Sequence, residues 1–174
     1  MSQQSYNSDS NLPINAGCGC LVILIFLAST IGVLVLPELL TSNTKAKQTE
    51  AKQYIRAIDK AQQAQFAKKG SFYNSVEALN IGIRTETKNY KYSIRTTKQA
   101  TFSYGVSQES KLKSYIGAVF VLPAKKVDTK AAKDKITTAS ILCEADSPGT
   151  LKPAEPIYQS GKVACAKGTK DLKI

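Results

Sequence analysis

The longest apolar run lies near the start of the chain, from Cys18 to Leu36, CGCLVILIFLASTIGVLVL, nineteen residues without an ionised group. A helix of that length rises about 30 Å, one hydrocarbon thickness, so the pattern predicts a transmembrane helix over 18–37. The alternative is a buried helix of a soluble protein, but such helices are usually shorter and show a polar face, which this run lacks. Pro37 follows and is expected to kink or interrupt the helix. Beyond it, AKQTEAKQYIRAIDKAQQAQFAKKG is rich in helix formers and predicts a second helix over about 42–69 that stops at Gly70. Ala51, Tyr54, Ile55, Ile58, Ala61 and Gln62 recur at helical spacing and form its packing stripe.

The period then changes. A short helical turn is expected from Ser75, capped by its own hydroxyl, with Val76 and Leu79 turned inward. In NYKYSIR, Tyr90, Tyr92 and Ile94 alternate with Lys91, Ser93 and Arg95. In ATFSYGVS, Phe102, Tyr104 and Val106 alternate with small polar residues, and both segments predict half-buried strands. YIGAVFVL, from Tyr115 to Leu122, is apolar on both faces and suits a central strand, and TASILCEA, from Thr138 to Ala145, supplies a fourth. The short connections between the first three make the sheet antiparallel, over about 89–145. The strand aromatics could stack bases, but packing of the sheet against the helix explains Tyr90, Tyr92, Phe102 and Tyr104 without a ligand.

Composition removes most chemistry. The 174 residues include no histidine, which excludes His-based nucleophiles, acid–base pairs and metal sites. Glu77, Glu86 and Glu109 are scattered, there is no glycine-rich phosphate loop, and no nucleophile has a base at readable spacing. No enzyme activity, cofactor or metal is expected. The 130 residues from Lys45 to Ile174 suffice to bury roughly two-thirds of their unfolded surface without outside help.

Charge divides the chain in two. All 24 basic residues lie beyond position 44, where they face 11 acidic ones, a formal +13. Such an excess attracts DNA, anionic polysaccharide or lipid head groups. Lys45, Lys52, Arg56 and Lys60 share a second face of the predicted helix, and Lys125, Lys126, Lys130, Lys133 and Lys135 concentrate in one expected loop. Both groups are candidate anion-binding positions, with a solvated surface as the plainer explanation. The polar leader, residues 1–17, carries no positive charge, and the positive-inside rule loses force for a following domain of this length.

Cysteine placement sets the orientation. Cys143 and Cys165 lie in the soluble part and make a plausible disulfide, against the alternative of two buried thiols in a reducing compartment. Closing that loop would stabilise the fold by roughly 3 kcal/mol and places the domain in an oxidising space. The expected topology is a single-pass inner-membrane protein with a cytoplasmic N-terminus and a periplasmic or extracellular C-terminal domain. Cys18 and Cys20 precede the apolar region rather than follow it, which does not fit a lipoprotein signal, and two thiols alone do not complete a zinc shell.

An apolar helix running into an amphipathic one, then a four-stranded sheet and a cysteine-closed tail spanning 143–165, is the plan of a type IV pilin-like subunit. The stretches AKQTEAKQYIRAIDKAQQAQFAKKGSF, NIGIRTETKNYKYSI, YIGAVF, ILCEA and ACAKGTKDL, in that order, closely resemble the bacterial G/H pilin-like family over about residues 36 to 172. The resemblance implies an α+β pilin fold over 38–174, export through the inner membrane, and use in a pilus or secretion pseudopilus. Its implied partners are other pilin-like subunits, inner-membrane assembly machinery and membrane lipid. Relatives carry a glycine at the cleavage point, then an aromatic residue and a glutamate inside the apolar run. Here Gly17 and Gly19 are candidate processing positions, but cysteines follow them and no residue from Cys18 to Leu36 is ionisable. Gly32, Ala28 and Ser29 are small enough to let such helices approach closely. Two functions follow: a minor structural subunit, or a membrane-tethered module that binds DNA or anionic polysaccharide through its basic surface.

Overall fold

In a computed structural model, residues 43–124 and 136–173 are described in full, and for residues 17–42 only the helical course of the backbone is given. The chain divides into two units, Met1–Ser42 and Asn43–Ile174. Helix α1 spans Gly17–Lys69, and its helical assignment runs through Pro37 without the expected interruption. One proline removes a single ladder hydrogen bond, which the turns on either side outweigh. The helix ends where predicted: Gly70 adopts φ 66° and its N–H donates to the Phe66 carbonyl at 2.8 Å. The leader 1–17 and the transmembrane reading of 18–37 lie outside the fully described residues, among which no helix is long and apolar enough to cross a membrane.

The turn at Ser75 is a single 3-10 turn, Glu77–Leu79, with the Ser75 hydroxyl accepting from the Ala78 N–H at 3.2 Å and with Val76 and Leu79 buried. Four strands follow: β1 (Tyr90–Thr96), β2 (Ala100–Ser107), β3 (Tyr115–Pro123) and β4 (Ile136–Ala145). Three short strands complete the fold: β5 (Ile157–Gln159), β6 (Lys162–Ala164) and β7 (Thr169–Asp171). The sheet therefore has five strands rather than four, in the order β1-β2-β3-β4-β7 and antiparallel throughout. The fifth comes from the tail, where β7 pairs with Cys143–Ala145.

The predicted stripe packs α1 onto one sheet face. Ala51, Ile55, Ile58 and Gln62 are fully buried against a core that includes Tyr90, Tyr92, Leu112, Tyr115 and Leu142. The approach is closest at Gly117 of β3, where an added Cβ would lie 2.1 Å from Asp59 Oδ2 and 2.6 Å from Ile55 Cγ2. Glycine there lets the helix backbone descend onto the central strand.

Phe102 and Tyr104 do not share that interface. Register places Tyr92 opposite Gly105 and Ile94 opposite Ser103, so Thr101, Ser103 and Gly105 face the helix, and Phe102 and Tyr104 point the other way. They belong to a second core with Ile116, Ala118, Phe120, Leu122, Ile141 and Cys143, against which Val163 and Cys165 pack. The expected half-buried β2 is buried on both sides because the tail covers the face that the helix leaves open. Helix, sheet and C-terminal cover form three layers.

Candidate functional site

The cover is tied down at three points. Cys143 of β4 is disulfide-bonded to Cys165, with Cα atoms 5.8 Å apart. Between them β5 and β6 form a hairpin whose Ser160-Gly161 turn has φ of 53° and 80°, the conformation that two-residue hairpins favour. Glu155 accepts hydrogen bonds from the Arg95 guanidinium and from the Tyr104 hydroxyl. The Arg95 bonds hold the Glu155 carboxyl below the usual carboxylate range. Lys152 of the cover lies over Tyr104 at 3.7 Å and gives a third tie, while Arg95 of β1 lies over Phe102 of the neighbouring strand at 4.6 Å, which holds the guanidinium in place for Glu155.

A second charged group sits at the β4–β7 join. Glu144 accepts from Lys113 Nζ at 3.1 Å and from the Tyr115 hydroxyl at 3.1 Å, and Lys170 Nζ lies 3.2 Å away. Burial would raise its pKa, but the two ammonium partners prevail and hold it below the usual carboxylate range. Lys47 pairs with Glu109 at 2.8 Å.

Asp59 is treated differently. It is 5% exposed, Oδ1 has no hydrogen-bond partner, and burial pushes its carboxyl up to about 8, against a weaker opposing pull from Ser103. The group is largely neutral at pH 7. Its position was readable: it lies one turn after Ile55 and between Ile58 and Gln62, on the apolar stripe itself.

The sequence-predicted cations scatter. Lys45 and Lys60 are exposed on α1. Lys52 and Arg56 are half-buried and line a cleft of about 440 Å³ with Thr49, Gln53, Asp171, Leu172 and Lys173. Lys125, Lys126, Lys130, Lys133 and Lys135 lie outside the described residues, and Gly17 and Gly19 fall where only the helical course is given. Among the described residues no group of three or more His, Cys, Asp or Glu side chains could hold a metal ion. Lys173 was missed because nothing in a short exposed tail announces that it returns to the helix.

A long helix laid on one face of an antiparallel sheet, with a disulfide-tied tail over the other, defines an α+β domain of the pilin-like class. The family model for type IV pilin-like G and H proteins matches residues 48–166, more than half of the chain, and the chain belongs to that family. Comparisons with the curated proteins and with the solved structures each found no match.

Proposed function

We propose that this chain is a non-enzymatic pilin-like subunit, anchored in the inner membrane by residues 18–36, that enters a type IV pilus or type II secretion pseudopilus as a minor component. The family match over 48–166 carries the reading. The apolar run supports the anchor, and the Cys143–Cys165 bond supports a domain in an oxidising space outside the cytoplasm. Its partners on this reading are other pilin-like subunits and the assembly machinery in the membrane.

The test has two arms. Protease added to sealed cells with a permeabilised outer layer is expected to digest the domain after residue 43, and protection until lysis would invert the topology. Filaments sheared from cells that express the chain are expected to contain it at low copy. Its consistent absence would leave a tethered, unassembled protein, the alternative favoured by the lack of an ionisable residue between Cys18 and Leu36.

A further inference from the structure

Among the described residues four basic side chains are ion-paired and the rest are not, and what sets three of the unpaired ones apart is that they share one cleft. Lys47, Arg95, Lys113 and Lys170 each contact a carboxylate within 4 Å. Lys52, Arg56 and Lys173 make no ion pair or hydrogen bond with any described residue, yet all three line one cleft. Three like charges beside a single carboxylate, that of Asp171, repel one another, and the half-burial of Lys52 and Arg56 sharpens the cost. Arg56 Nε is enclosed by protein and still has no acceptor.

The helix side of the cleft is a single face. Thr49, Lys52, Gln53 and Arg56 stand at i, i+3, i+4 and i+7, so a hydroxyl, an ammonium, an amide and a guanidinium project along one line. Leu172 holds the opposite wall in place: its N–H donates to the Leu142 carbonyl at 2.9 Å and its side chain packs on the main core, which fixes Lys173 beside it. Among the described residues the one acidic lining residue is Asp171, so this lining carries three positive charges and one negative. A doubly charged oxyanion would balance it.

We propose that this cleft binds a phosphoryl group, with Lys52, Arg56 and Lys173 as its charge partners and Thr49 and Gln53 as hydrogen-bond donors. A guanidinium suits tetrahedral oxyanions because its N–H groups engage two oxygens at once, and the flanking ammonium groups add charge without demanding one geometry. The volume of about 440 Å³ leaves room for the group that carries the phosphate. Lys45 and Lys60, predicted on the same helical face, do not line the cleft and take no part. The inference does not depend on filament assembly.

The test is calorimetric titration of the full chain in nonionic detergent at fixed ionic strength, first with inorganic phosphate and then with short-chain phosphatidylglycerol in mixed micelles. Chloride and short-chain diacylglycerol, which lacks the phosphoryl group, serve as the respective controls. Saturable phosphate binding that weakens about tenfold or more in the Lys52→Gln/Lys173→Gln double variant, and not in Lys98→Gln, is the expected result. Tighter binding of phosphatidylglycerol than of phosphate would assign the group to a lipid head group, and the reverse to a free phosphate. Arg56→Lys separates fork recognition from bulk charge, and it is expected to weaken phosphate binding while leaving the circular dichroism spectrum unchanged. No saturation above the controls, or equal weakening in Lys98→Gln, would overturn the proposal.

Discussion

A carboxyl sealed between a helix and a sheet must find a hydrogen-bonded partner or keep its proton, and Asp59 does the latter. The unfolded chain releases that proton near 3.8, whereas the folded one holds it to about 8. Between those values the native state binds the extra proton, so stability falls as pH rises, by up to about 1.4 kcal/mol per pH unit. Asp59→Asn is expected to abolish that slope, measured as the urea midpoint of the full chain in detergent at pH 5 and pH 7. An undiminished slope in the variant would assign the pH dependence elsewhere. Glu144 has the opposite sign: its depressed pKa contributes stability above its unfolded value of 4.5, which is lost as pH falls through the folded one. Gly117 faces the same carboxyl, and Gly117→Ala is expected to cost about 1–3 kcal/mol or more, since its Cβ would overlap Asp59 and Ile55. Gly105→Ala, whose nearest contacts would be 3.3–3.4 Å, should cost clearly less. Equal losses at the two sites, read from the same urea midpoints, would remove the close approach as the cause.

At the scale of elements, legibility follows periodicity. Strands β1 to β4 were visible because seven to ten residues of alternating or continuous apolar character leave a signal that short connections orient. The strands β5, β6 and β7 were not, because three residues each, IYQ, KVA and TKD, cannot display a period. That gap explains the misplacement of Phe102 and Tyr104: without the cover, one apolar face seemed enough, and the helix was the only element available to bury it. The disulfide was read from an even pair of cysteines, yet its role as a fastener of that third layer needed the sheet face beneath. Breaking it with Cys143→Ser/Cys165→Ser is expected to lower stability by about 3 kcal/mol, from the entropy of the loop that spans 22 positions. Hydrogen exchange should rise first in residues 146–165 and not in α1. Uniform acceleration across both layers would mean that cover and sheet open as one unit.

At the scale of the whole molecule, two electrostatic behaviours coexist and salt separates them. The excess of 24 basic over 11 acidic residues beyond position 44 attracts any polyanion by releasing its condensed counterions, a property of the summed field rather than of a site. Such binding loses affinity linearly in log salt, with a slope of about −0.9 for each phosphate neutralised on duplex DNA. A cleft that holds one phosphoryl group engages a single charge centre, and its salt slope is expected to be near that of one or two contacts. Retention of the full chain on a DNA column should therefore collapse between low and high salt, and should barely change in the Lys52→Gln/Lys173→Gln variant, because two charges among 24 are a small part of the field. If that variant instead abolished DNA retention at low salt, the cleft would be the polyanion site itself. The tethered binding reading would then gain over the filament reading, since a surface occupied by polymer is not free to pack against neighbouring subunits.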